Sequence, residues 1–354
     1  MTRLLRRVAA VCAVLSLASA AGAPVAQAQI GGQRAFSFLN LPTSAKLAGL
    51  GGVNVSSRDA DGTMLYGNPA LLNADMDGRL ALGYVDYLSD IRQATAAYVF
   101  NTERAGRFGL GLTYLSYGKF EETDAAGNVI GEFSVNEYAL SVADSYTSGS
   151  ITVAGTLKLG VSGIAGNHSV AALADVGGLF KHPAQDFTVG LVVRNAGVQL
   201  KPYAGASREP MPLDVQLGTS FKPEHLPFRF SITAHHLQRL DIVYLDPNQR
   251  GQLDENGNEV KPKKSLGDKI ARHFVVGGEL LLSKNMNLRL GYNHLQRREL
   301  RLQNLSGGAG FSVGAMLRLS EFQLDYTHAW THVAGSSNYL TLARNINTLF
   351  RAQP

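Results

Sequence analysis

Between residues 79 and 349, apolar side chains recur at every second position in segments of about ten residues, and Gly, Asn, Asp or Pro separates one segment from the next. Leu213, Val215, Leu217, Thr219 and Phe221 alternate with Asp214, Gln216, Gly218 and Ser220; Met286, Leu288, Leu290 and Tyr292 alternate with Asn287, Arg289, Gly291 and Asn293. Successive strand side chains point to opposite faces, so each segment has one oily face and one of Arg, Asp, Gln and Gly. That division suits a wall between hydrocarbon and a polar lumen, and about ten tilted residues cross a bilayer. No later apolar stretch reaches the length of a membrane helix. Lipid offers no partner to open backbone groups, so such a wall must close on itself.

The N-terminus fits export. Arg3, Arg6 and Arg7 precede an apolar run from Val8 to Ala23, and Ala26-Gln27-Ala28 places small residues where a signal peptidase needs them. Residues 1–28 therefore read as a signal peptide, with a mature chain beginning at Gln29. The run is short and Ala-rich for a membrane anchor. Cys12, the one cysteine, lies in this leader, which leaves residues 29–354 without thiol, disulfide or Cys-metal chemistry. The formal charge is +5, of which three positive charges sit on the leader arginines and +2 remains on the rest. The remaining basic residues are scattered along strands, so nucleic-acid binding loses support.

Strands are predicted near 79–87, 91–100, 107–117, 132–145, 150–162, 168–181, 186–195, 213–222, 228–239, 271–283, 286–296, 308–319, 321–332 and 338–349. The expected fold is all-β: a transmembrane antiparallel β-barrel of about fourteen strands, an even number as in single-chain bacterial barrels. Residues 79–354 form the barrel. Tight connections at Asn101–Gly106, Ser283–Asn285 and Ser320-Glu321 contrast with long ones at 118–131, 196–212 and 240–270; the short ones belong to the periplasmic side and the long ones to the exterior. Tyr84, Tyr87, Tyr98, Phe100, Tyr114, Tyr117, Tyr292, Tyr326 and Trp330 lie near segment ends, where interfacial girdles form. Gly109, Gly111, Gly155, Gly160, Gly177, Gly178, Gly190, Gly277, Gly278, Gly310 and Gly314 fall inside strands, where they permit coiling and leave room in the lumen for something packed inside.

Residues 29–78 break the rhythm and are the candidate for that something, a hatch or plug. Ala35 to Leu41 reads as an extended piece that turns at Pro42 into a short helix capped by Thr43 or Ser44, and Gly49 to Gly52 break it. Asn68-Pro69-Ala70-Leu71 reads as a turn opening a second short helix, with Pro69 at its first position.

These stretches resemble a known family. Ile30-Gly31-Gly32, Phe36-Ser37-Phe38-Leu39, Leu41-Pro42-Thr43-Ser44-Ala45, Ala48-Gly49-Leu50-Gly51-Gly52 and Asn68-Pro69-Ala70-Leu71 resemble the mature N-terminus of the PorQ family of type IX secretion system outer-membrane proteins. The resemblance returns at Glu122-Thr123-Asp124, Gly127-Asn128 and Gly131-Glu132-Phe133, at Gly291 to His294 with Arg297 to Leu300, and at Gly307 to Ser312. It implies a FadL-like barrel whose hatch motif takes in Pro42, Gly51, Gly52, Asn68, Pro69 and Ala70. It also implies a non-enzymatic role: holding a PorZ-like surface protein in an attachment complex with PorU and the related barrel PorV. That complex processes secreted cargo and attaches it to lipopolysaccharide. The superfamily's other use, uptake of hydrophobic small molecules, is the alternative. The chain ends Phe350-Arg-Ala-Gln-Pro354, without the terminal aromatic common in barrel assembly signals.

No catalytic motif is present, and no cofactor or metal is expected. His235-His236 lie in a predicted strand, where adjacent residues face opposite ways and cannot share an ion. The loop Asp246-Pro-Asn248-Gln-Arg250-Gly251 with Asp254, Asn256 and Asn258 has some look of a calcium loop, yet Arg250 stands where an oxygen ligand is wanted. This polar insertion, on to Lys261-Pro262-Lys263-Lys264, is instead the candidate partner loop, represented by Asp246, Arg250, Asp254, Lys261 and Lys263, because long loops tend to carry function.

Overall fold

The computed structural model describes residues 35–102, 106–243, 252–253, 259–260, 265–300, 307–332 and 335–350. The expected signal peptide and the motif at Ile30-Gly31-Gly32 lie outside them, as do Asp246, Arg250, Asp254, Lys261 and Lys263.

Fourteen antiparallel strands close into one barrel: β1 (Arg79–Asp86), β2 (Arg92–Thr102), β3 (Gly106–Thr123), β4 (Val129–Ser148), β5 (Ile151–Ile164), β6 (Asn167–Lys181), β7 (Asp186–Lys201), β8 (Asp214–Lys222), β9 (Phe228–Ala234), β10 (Phe274–Leu281), β11 (Met286–Asn293), β12 (Phe311–Leu319), β13 (Phe322–His332) and β14 (Gly335–Asn345). Each strand pairs with the next in the chain, and β14 returns to β1 from Arg79↔Asn345 to Asp86↔Asn338. Closure leaves no strand edge to lipid. The alternation sorts the faces: Asp214, Gln216, Ser220 and Arg289 are buried inward, whereas Leu217, Phe221, Leu288 and Leu290 stand exposed on the outside.

Strand ends depart from the sequence reading where polar residues or helices take over. β3 and β4 run on as a hairpin to Thr123 and Val129, so the supposed loop 118–131 shrinks to a turn at 124–128. Phe120 and Phe133 pair across that extension with ring centroids 5.5 Å apart. β9 stops at Ala234 rather than near 239, and β11 gives way to a helix at His294. Of the supposed girdle, Tyr87 and Tyr117 turn inward: Tyr87 packs edge-on against Tyr339 at 5.8 Å, and the Tyr117 hydroxyl donates to Glu137 at 2.7 Å. Gly310 lies in a connection, with φ of 87°.

Short turns join the strands at the end of the barrel that also holds the start of β1 and the end of β14. The opposite end carries the connections 202–213, 235–273 and 294–310, and is the exterior face by the usual asymmetry of such barrels.

Candidate functional site: the filled lumen and the outer rim

The segment 35–78 lies inside the barrel as a chain of short helices. A chain so rich in Gly, Pro and Asn cannot sustain a long helix, and each short one therefore needs a side chain to satisfy its first backbone donors. Ser44 caps α1 (Ala45–Gly49) by accepting from Leu47 N, Asp61 accepts from Thr63 N ahead of a 3-10 turn, and Asn73 accepts from Asp75 N. Asn68 caps the turn Pro69–Leu71 by accepting from Ala70 N at 2.9 Å, and its amide donates to Val55 O at 3.0 Å. The first piece is a 3-10 turn, Ser37–Asn40, not the extended segment expected; it follows Phe36, whose φ is 61°.

Wall glycines are the seats of this segment. A Cβ at Gly160 would meet the Phe36 ring, one at Gly111 the Tyr66 ring, one at Gly177 the Asn68 side chain, and one at Gly190 the Val55 carbonyl. Gly277 does the same for Leu50, and at Gly291 the Gly51 backbone itself comes too close for any side chain. Gly178 and Gly278 face open space. The inward glycines are thus close-approach sites rather than generic flexibility.

Two kinds of contact then hold the segment. Toward β2–β6, Phe36, Phe38 and Leu39 pack with Leu115, Ala139, Ala171 and Leu173, and Met64, Leu65, Leu71 and Leu72 pack with Ala97, Val99, Ala143, Ala154 and Leu179. Toward β9–β13 the hatch meets a charged network of the wall: Asp59, paired with Lys46 within the hatch, lies 3.8 Å from Arg229, and among the wall residues Arg229 pairs with Glu279 at 3.1 Å and Arg289 bridges Glu279 at 3.1 Å and Asp325. Ser57 donates to Glu279 at 3.3 Å, and Thr327 donates to the Ala45 carbonyl at 2.6 Å. A further buried pair, Lys158–Asp175 at 2.6 Å, sits at a bulge of β7, where Asn195 (φ 57°) donates through its amide to Asn40 at 2.8 Å.

A pocket lined by Leu41, Pro42, Thr43, Leu47, Gly52 and Gly67, with Arg194 and Gln216 opposite, holds about 10 Å³. That is room for one water. The pocket brings Pro42 beside Gly52, while Asn68-Pro69-Ala70 sit apart from them on β5 and β6. Arg194 Nε and Gln216 Oε1, both without partners among the described residues, are on side chains that line this space.

At the rim, α2 (Leu266–Ala271) and α3 (His294–Glu299) meet through Asp268, which takes Arg272 at 2.9 Å, Arg298 at 2.7 Å and His294 at 3.5 Å. Burial works against the Asp268 carboxylate, but these cations, Arg272 first, hold its pKa below the ordinary value. Sequence periodicity missed α3, although Asn293 is a good N-cap and accepts from Gln296 N at 3.2 Å. The exclusion of His235 and His236 as neighbours also fails. β9 has ended by then, His236 adopts φ of 56°, and the two rings lie 4.6 Å apart between centroids, close to Asp214.

No family model and no curated protein matches the chain. Solved structures do. The toluene transporter TbuX of Ralstonia pickettii superposes with a TM-score of 0.50 at 11% identity, over 88% of this chain and 100% of that one. A deletion mutant of the monoaromatic hydrocarbon channel TodX gives 0.50 at 14% identity, over 86% and 98%. A FadL homologue from Pseudomonas aeruginosa gives 0.47 at 10% identity, over 86% and 98%. At these identities the likeness is one of fold: the chain shares the closed-barrel architecture of these FadL-like outer-membrane proteins.

Proposed function

We propose that this chain is a non-enzymatic outer-membrane anchor of a type IX secretion system, holding a PorZ-like surface protein beside PorU- and PorV-like partners at the site where cargo is processed and attached to lipopolysaccharide. The observation that carries this reading is the filled bore. Side chains of the hatch occupy the lumen from Phe36 to Met76, and the pocket between hatch and wall takes one water, so the outer rim is the surface left for a macromolecule. The separated motifs that resemble the PorQ family support this choice of partner.

The test is a pull-down from detergent-solubilised outer membrane. The expected result is co-purification of the PorZ-like protein with the intact chain, lost when 246–264 are deleted while the barrel still inserts. Retention that survives the deletion removes the partner role from that loop; failure to co-purify at all defeats the anchor reading.

A second reading, uptake of hydrophobic small molecules, is favoured by the fold neighbours, which are described as a toluene transporter and a monoaromatic hydrocarbon channel. It requires the hatch to move, because Phe36, Phe38 and Leu39 fill the apolar part of the lumen themselves. Toluene or fatty-acid uptake by cells expressing the chain, above that of cells with an empty vector, would support it.

A further inference from the structure

Below the outer rim, β8 and β9 are zipped by a short ladder from Phe221↔Phe230 to Leu217↔Ala234. Above it the chain leaves β9 through His235 and turns back at His236, opposite the first residue of β8, Asp214. One ligand atom from each of Asp214, His235 and His236 lies within 4.8 Å of the other two. His236 Nδ1 is 3.2 Å from Asp214 Oδ1.

Each donor is already oriented by a neighbour. Asp214 Oδ1 accepts from the His236 backbone N–H at 2.7 Å and Oδ2 accepts from the Gln216 amide at 2.6 Å. The His235 main-chain N–H donates to His273 O at 2.9 Å. Its ring nitrogen Nε2 has no partner among the described residues, on a side chain only 3% exposed. A buried ring nitrogen without a partner is costly, and a ligated cation removes the cost. Arg272, the nearby cation, is neutralised by Asp268 at 2.9 Å.

We propose that Asp214, His235 and His236 bind a divalent first-row transition-metal ion of the zinc type. Two imidazoles and one carboxylate suit Zn²⁺ and its neighbours, whereas Ca²⁺ and Mg²⁺ want oxygen throughout. Donors at about 2.0–2.2 Å from a tetrahedral ion stand ~3.4 Å apart, so the site closes by side-chain rotations of about 1 Å. Three protein ligands leave a position for water, and the His236 side chain, 18% exposed, gives the ion a way in. The ion ties the start of β8 to the root of the 235–273 connection and so sets the base of the longest rim segment. The site does not depend on the anchor reading.

The experiment uses the full chain without an affinity tag, purified in detergent from outer membranes, stripped with a chelator and dialysed against Zn²⁺. Elemental analysis is expected to find one Zn²⁺ per chain. Asp214→Asn and His236→Gln, with barrel folding checked by the migration of unheated samples on a gel, are each expected to weaken binding by at least ~10-fold, the usual effect of disturbing a ligand set. Electron paramagnetic resonance of the Cu²⁺-loaded wild type is expected to show coupling to two imidazole nitrogens, which decides the ligand set without any variant. Wild-type protein that takes up no stoichiometric Zn²⁺, that shows no nitrogen coupling, or that binds no more tightly than both variants overturns the proposal.

Discussion

The two sides of the hatch are held by different physics. Against β2–β6 it is an apolar packing problem: Phe36, Phe38, Leu65, Leu71 and Leu72 interdigitate with small wall residues, and glycines at 111, 160 and 177 supply the depth. Against β9–β13 the hatch meets an electrostatic network of the wall: Asp59 of the hatch joins Lys46 and Arg229, and in the wall itself Arg289 lies between two buried carboxylates. Apolar packing loses strength gradually as volumes change, whereas a buried ion network fails abruptly when one member goes. The strands reflect the division: β3–β7 have 14 to 20 residues, and β8–β14 have 7 to 11.

The largest expected effect is on the charged side. Arg289→Ala strips the buried Asp325 carboxylate of its cation and leaves Glu279 with Arg229 alone, and removal of one partner from a buried pair costs about 3–5 kcal/mol. Denaturant unfolding of the detergent-solubilised barrel should show this loss, and a change under ~1 kcal/mol would mean water reaches the network. On the apolar side, Gly160→Val pushes a side chain into the Phe36 ring, and overpacking of this kind costs about 1–3 kcal/mol. Protease sensitivity of the hatch should rise while the barrel stays folded; a variant as resistant as the wild type would show that Phe36 has room to give. Asn68→Ala removes both a cap and the bond to Val55, for about 1–2 kcal/mol, read in the same unfolding assay.

How much of this was legible follows from what alternation can encode. It marks which residues face inward, so Asp214, Gln216 and Arg289 were placed in the lumen from the sequence, and the helix caps at Ser44 and Asn68 follow from local side-chain chemistry. It does not say which inward residues meet. Arg289 and Asp325 lie 36 positions apart and become partners only through the closed register of β11, β12 and β13. The glycines signalled space, yet nothing local says that Gly177 receives Asn68 or that Gly160 receives Phe36. For His235 and His236 the alternation of Phe228, Phe230, Ile232 and Ala234 reads on as a continuing strand, while a single positive φ at His236 redirects the chain. Tyr87 and Tyr117 were assigned to the interface by position along their segments, although parity with Val85 and Leu115 places both on the lumen face.

The smallest expected effect isolates burial from chemistry. Arg344 pairs with Glu321 at 2.7 Å and lies over the Phe322 ring at 4.8 Å, with the same guanidinium-carboxylate chemistry as Arg289 and Asp325. It sits at the short-turn end, however, where the two side chains are 29% and 44% exposed against 2% and 1% for the lumenal pair. Water already solvates both ions there, so truncation strands no charge, and exposed pairs are worth about 0–1 kcal/mol. Arg344→Ala should therefore shift the unfolding free energy by no more than ~1 kcal/mol, most of it from lost contact with Phe322. If Arg344→Ala cost as much as Arg289→Ala in the same assay, the difference between the two sides of the hatch would rest on something other than desolvation, and the electrostatic account of the β9–β13 face would have to be abandoned.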